Sequence, residues 1–114
     1  MDMSVVEIEP GITAVTLDGR MDMAGAQQID LRFSAVAGGT RIMLVDMAAV
    51  PFLASIGVRT LIMGARTISR RGGRFVLVHP SPQVEEVLTV SGVLDLMPVF
   101  HDLQEALSAL RSPA

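Results

Sequence analysis

Two continuous apolar runs constrain this chain most: "RIMLVD" at residues 41–46 and "RFVLVH" at residues 74–79. Each is apolar at consecutive positions, the pattern of a central strand covered well on at least one face. Between them the period changes. Val58, Leu61, Ile62, Ala65 and Ile68 recur three or four apart and mark one helix face, while Arg59, Arg66 and Arg70 lie on the other side. The spacing predicts a helix from about Ser55 to Arg71, closed by Gly72-Gly73. Strand, helix and strand make a βαβ unit of the usual length, ~30 or more residues. Such a unit has parallel strands and a right-handed crossover.

The flanking segments extend the pattern. "SVVEIE" and "ITAVTLDG" are β-type runs split by Pro10-Gly11, a turn signal, and predict a hairpin. In "AGAQQIDLRFSAVAGG" a helix face is set by Ala26, Ile29, Phe33 and Val36, with Gly38-Gly39 as its end. Ser81-Pro82 is a cap-and-N1 combination that opens a short helix with Val84, Val87 and Leu88 inward and Gly92 as its stop. "LMPVF" reads as a short strand, placed at a sheet edge by Pro98. "DLQEALSAL" is a last helix with Leu103, Ala106, Leu107 and Leu110 in one stripe. The predicted order is β-β-α-β-α-β-α-β-α: an α/β fold with a mixed sheet covered by helices. At 114 residues the chain fits a single domain, 1–114, with one core. With no Trp, no Tyr and 4 Phe, that core is aliphatic.

Several function classes fall away. A net charge of −3 leaves no electrostatic footprint for nucleic acid. The absence of cysteine excludes disulfides, a thiolate metal site and a cysteine nucleophile. The opening "MDMSVVEIEP" lacks the charged-then-apolar order of a signal peptide, and no apolar run approaches the ~20 residues of a membrane span. The expectation is a cytoplasmic protein without membrane insertion. His79 and His101 have no second ligand at metal spacing and read as structural or exposed, so no metal site is predicted. "LASIG" supplies only the second glycine of Gly-x-Ser-x-Gly, and a GxxxxGK[ST] loop is absent. The expectation is no enzyme, no catalytic residue and no cofactor.

Attention then falls on "VPFLASIGVR" at residues 50–59. Ser55 stands where an apolar run meets a helix. One reading makes it the helix N-cap, at a cost of roughly 1 kcal/mol on replacement by Ala. Another makes it functional, because loops leaving the ends of central parallel strands are where α/β proteins place their sites. The two roles are compatible. Gly57, inside the first turn, costs up to ~1 kcal/mol relative to Ala. Close approach of a partner or tight packing on the sheet would each account for it. A phosphate on Ser55 would add about −1.5 to −2 charges, which a helix N-terminus tolerates. It would act on a partner at the small-residue surface of Ala54, Ser55 and Gly57. Asp22, in "LDGRMDMAG", reads as an N-cap of the first helix. If the strands before Asp22 and Ser55 are neighbours, both residues emerge at one end of the sheet.

These residues resemble the STAS domain, as in bacterial anti-sigma factor antagonists. The resemblance runs through "LDGRMD", "LVDMAAVPFLASIGVRTL" and "GGRFVLVHPSPQVEEVLTVSGVLDLMPVFHDLQEAL", nearly the whole chain. It implies a STAS-like fold in the element order above and a role in partner switching. The unphosphorylated antagonist binds an anti-sigma factor that is also a serine/threonine kinase and so releases the sigma factor. Phosphorylation turns binding off, and a PP2C-type phosphatase resets it. The matching phosphorylation site is Ser55. The implied partner-binding residues are Met21, Asp22, Ala54, Ser55, Ile56, Gly57 and Arg59, in a monomer or weak dimer. Family antagonists often carry Asp-Ser-Ser-Gly here, whereas this chain has Ala54-Ser55-Ile56-Gly57. That departure motivates an alternative: a constitutive STAS subunit of a lipid-transport ABC complex, or another adaptor not regulated by phosphorylation.

Overall fold

The computed structural model describes residues 1–111. The hairpin around Pro10-Gly11 joins β1 (Asp2–Glu9) to β2 (Ile12–Asp18), paired antiparallel with Met3 opposite Leu17 and Val5 opposite Val15. Gly11 takes φ +83°, a conformation that glycine adopts without strain. After α1 (Met23–Gly39) come β3 (Ile42–Ala49), α2 (Ser55–Arg70), β4 (Arg74–Val78), α3 (Pro82–Val90), β5 (Val99–Phe100) and α4 (Leu103–Arg111). The strands lie in the order β1-β2-β3-β4-β5, and every pair after the hairpin is parallel. The expected mixed sheet, in the expected element order, is what forms.

Side-chain alternation along β3 and β4 explains their unbroken apolar runs. Met43, Val45, Met47, Phe75 and Leu77 enter the main core with Phe33 of α1, Leu61 and Ile68 of α2 and Leu88 of α3. Leu44, Val76 and Val78 enter a second cluster under Ala106, Leu107 and Leu110 of α4. Both faces of the central strands are dry, so neither face carries a polar alternation.

Local signals behave as their chemistry dictates. Ser81 accepts a hydrogen bond from the Val84 N–H at 3.2 Å and Pro82 takes the first helical position. The Pro98 carbonyl accepts from the Leu77 N–H at 2.9 Å at the sheet edge. α1 ends at Gly39, as Gly38-Gly39 predicted, with Thr40 as an extended C-cap. Two details were not expected. At the end of α1 the Arg71 guanidinium donates to the carbonyls of Gly38 at 2.8 Å and Thr40 at 2.7 Å, and also to that of Ala37. This side chain from the end of α2 does the capping that the glycines were expected to do. Leu103 stays exposed at the first residue of α4, ahead of the stripe that packs.

Candidate functional site

β2 and β3 are parallel neighbours, so the segments after them leave from the same end of the sheet. Their pairing continues beyond the strands. The Gly19 N–H donates to the Ala49 carbonyl at 3.0 Å, Met21 to Phe52 at 2.9 Å, and Ala54 to Met21 at 3.0 Å. Met21 and Leu53 form an isolated parallel bridge. The start of α1 and the start of α2 are thereby held side by side.

On the α1 side, Asp22 is the N-cap, as its position suggested. Its Oδ1 accepts the Gly25 N–H at 2.8 Å. That bond, with the Arg20 guanidinium nearby, holds the carboxyl below its ordinary pKa despite some desolvation. Gly25 is required here, because a Cβ would stand 2.0 Å from the Arg20 carbonyl oxygen. Arg20 was not anticipated. Its Nε lies 3.7 Å from Asp22, and its guanidinium sits 4.3 Å over the ring of Phe52, which is 40% exposed. One side chain therefore spans both segments. A phenylalanine left in a loop, in a chain with only 4, was the signal available for it.

On the α2 side the structure corrects the cap reading of Ser55. Ala54 is the N-cap, at φ −91° and ψ 167°, and contributes no side-chain bond. Its carbonyl accepts the Gly57 N–H at 2.9 Å and the Val58 N–H at 3.0 Å. The reason lies in the neighbouring segment. The Ala54 N–H is committed to the Met21 carbonyl and Ala54 is extended, so Ala54 takes the cap position and α2 starts at Ser55, one residue earlier than a capping Ser55 would allow. Ser55 is the first helical residue, exposed, and its hydroxyl has no hydrogen-bond partner among the described residues.

Two other expected surface residues lie beneath the surface. Met21 is 0% exposed, and Gly57 is buried. A Cβ on Gly57 would meet Leu53 Cδ1 and Met21 Cγ at 2.8 Å and the Met21 carbonyl at 2.9 Å. Of the two explanations for this glycine, packing is the one realised. Met21 and Gly57 pack beneath the exposed residues at this end of the sheet. Asp22 and Ala54 are partly exposed and Ser55 is exposed. Ile56 and Arg59 line a cavity of about 410 Å³ between α1 and α2. His79 and His101 stand apart from this set, paired with Asp46 at 3.5 Å and Glu85 at 2.6 Å. Among the described residues no group of three or more His, Asp or Glu could hold a metal ion. No helix there is long and apolar enough to cross a membrane.

Comparison with known proteins agrees with this geometry. Over 103 residues the chain is 28% identical to BtrV of Bordetella bronchiseptica, described provisionally as an anti-sigma factor antagonist, covering 90% of this chain and 89% of that one. Its fold is similar to the anti-sigma factor antagonist SpoIIAA in its unphosphorylated form, with a TM-score of 0.81 at 22% identity over 99% of each chain. It is also similar to the Bacillus cell fate determinant SpoIIAA in its phosphorylated form, with a TM-score of 0.73 at 22% identity over 96% of this chain and 100% of that one. Residues 3–106 match the STAS domain, and the chain belongs to the STAS domain family.

Proposed function

We propose that this protein is an anti-sigma factor antagonist, a binding module without an activity of its own, that works by partner switching. Unphosphorylated, it binds an anti-sigma factor that is also a serine/threonine kinase. Phosphorylation of Ser55 ends that binding, and a PP2C-type phosphatase restores it. The observation that carries this reading is the Ser55 hydroxyl: exposed, at the first position of α2, and committed to no bond among the described residues. A capping serine would have to give up a structural bond to be modified; this one does not. Among the described residues no His, Asp or Glu is hydrogen-bonded to it, as the base of an activated nucleophilic serine would be. It suits a group acted on by another protein. The names of BtrV and SpoIIAA support the same role.

Charge gives the switch its direction. A phosphate at the start of α2 faces free helical N–H groups, so the domain tolerates it. The same phosphate places bulk and about two negative charges on a surface where Ala54 and Ile56 are its nearest neighbours in the chain and Asp22 and Arg59 lie close by. The penalty therefore falls on the complex rather than on the fold. The test is to incubate the native chain and the Ser55→Ala chain with ATP and lysate of the source organism. The phosphate is then mapped by mass spectrometry. The reading expects ATP-dependent phosphate on Ser55 and none on the variant; phosphate confined to other residues would refute it.

One observation favours the constitutive alternative. Ala54 offers only a methyl group where antagonists of the family often carry an acid, so a kinase would find one polar contact fewer. In that case α2 would dock permanently on an ATPase, as in a lipid-transport ABC complex, and the mapping experiment would return no phosphate on Ser55.

A further inference from the structure

The exposed side of α2 carries more than Ser55. Between Ser55 and Arg70 the helix contains Arg59, Arg66 and Arg70 and no acidic residue, in a chain whose net charge is −3. At about 100° per residue, Ser55, Arg59, Met63, Arg66 and Arg70 fall within about 80° of one another, a ridge roughly 22 Å long. All five are exposed. None of the three arginines has a hydrogen bond or ion pair among the described residues. Arg20, Arg32, Arg71, Arg74 and Arg111, by contrast, are each engaged with the protein.

Beside the ridge runs a groove that is half apolar. The 410 Å³ cavity between α1 and α2 is lined by the apolar Leu31, Ile56 and Met63, by Arg59 and by one acid, Asp30 on the α1 wall, and a second space of about 160 Å³ continues it past the same Asp30, Leu31 and Met63, so the three arginines of the α2 side outnumber the acid they face. Leu31 is 86% exposed and Met63 58%, which nothing in the chain's own packing explains. A row of unpaired cations next to exposed aliphatic groups, in a groove between two helices, matches one kind of occupant by charge and shape.

We propose that the α2 ridge and the α1–α2 groove form a docking surface for an acidic amphipathic helix of a partner protein. Its carboxylates meet Arg59, Arg66 and Arg70, and its apolar side chains pack on Leu31 and Met63. Nucleic acid fits less well: the surface is half apolar, its one aromatic ring, Phe33, is buried and unavailable for stacking, and the chain is acidic. The proposal rests on the reading of Ser55 as a switch on a binding face, and it gives that switch a physical cause. Arg59 follows Ser55 at i+4, so a phosphate on Ser55 neutralises the nearest cation of the ridge and repels the incoming acid.

The probe is a pair of synthetic helical peptides of roughly 18 residues with leucines at i, i+3, i+4 and i+7, one bearing glutamates on the remaining face and the other lysines. Each is titrated into the ¹⁵N-labelled full chain and followed by amide shifts. The expected result is that the glutamate peptide moves amides of α1 and α2, and the lysine peptide does not. Arg66→Glu with Arg70→Glu should weaken the glutamate peptide at least ~10-fold. Arg66→Gln with Arg70→Gln replaces that pair if the amide spectrum shows the reversal to be unfolded. Equal response to both peptides, shifts confined to other elements, or full affinity in the folded double variant overturns the docking surface. A DNA duplex that moves these amides more than the glutamate peptide overturns the assignment to a protein. The two readings fail separately. Loss of the docking surface leaves Ser55 modification untouched, whereas a Ser55→Asp chain that keeps its kinase removes the switch with the peptide result intact.

Discussion

Met21 and Leu53 pair across a single parallel bridge beyond the ends of β2 and β3, and this bridge sets the site. Asp22 follows the first residue directly and Ser55 follows the second by two. The bridge holds Ala54 extended through its N–H bond to Met21, which makes Ala54 the cap and leaves Ser55 free. Gly57 then folds back over the same pair. A local backbone feature thus decides which hydroxyl is available for modification.

Gly57→Ala should destabilise the protein. In an open helix the change would be favourable by up to ~1 kcal/mol. Here the new methyl meets Leu53 and Met21 side chains at 2.8 Å and the Met21 carbonyl at 2.9 Å, and the carbonyl belongs to the bridge ladder. Overpacking of this kind costs about 1–3 kcal/mol and wins. Urea unfolding should show a lower midpoint; a midpoint equal to or above the native one would contradict the packing described.

Ser55→Ala should leave stability unchanged within ~0.5 kcal/mol, because the hydroxyl holds no bond. Ser81→Ala is the matched control. It removes the acceptor of the Val84 N–H and should cost about 1 kcal/mol. Parallel thermal melts of the two variants decide it, and equal losses would restore a capping role to Ser55.

Asp22 predicts an acid-sensitive component of stability. Its folded pKa lies below the unfolded value because Gly25 N–H and Arg20 favour the carboxylate. The stabilisation is therefore complete above the unfolded value, near pH 4, and is lost as pH falls through the lower folded value. Asp22→Asn keeps a capping oxygen but removes the titration. Its melting temperature should fall less than that of the native chain below about pH 4. Parallel acid profiles would show that Asp22 contributes none of this dependence.

Arg71→Ala should destabilise the junction of α1 and α2. The guanidinium satisfies three carbonyls at the end of α1, and charged hydrogen bonds of this type are worth about 1.5–3 kcal/mol when buried, less at this exposed site. Hydrogen exchange should rise in the last turn of α1 in particular. Exchange unchanged there would remove Arg71 as the cap.

Much of this was legible in the sequence because periodicity reports on burial. The unbroken runs at residues 42–45 and 75–78 marked the central strands, and the stripe through Val58, Leu61, Ala65 and Ile68 marked the inner face of α2. Extending that stripe back by four from Leu61 reaches Gly57, so its burial was available from spacing alone. What spacing could not supply was the bridge between Met21 and Leu53. The helix starts at Ser55 as its spacing predicted, but the pairing places Ala54 at the cap position, leaves the Ser55 hydroxyl without a partner among the described residues, and buries Met21. The contact of Arg20 with Phe52 depends on the same pairing of two loops distant in sequence.

The most direct test of the central claim is calorimetric titration of the cognate anti-sigma factor kinase with the native, Ser55→Ala and Ser55→Asp chains. The account predicts that native and Ser55→Ala bind alike and that Ser55→Asp binds at least ~10-fold more weakly. Equal Kd values for all three would contradict it and leave the chain a constitutive adaptor.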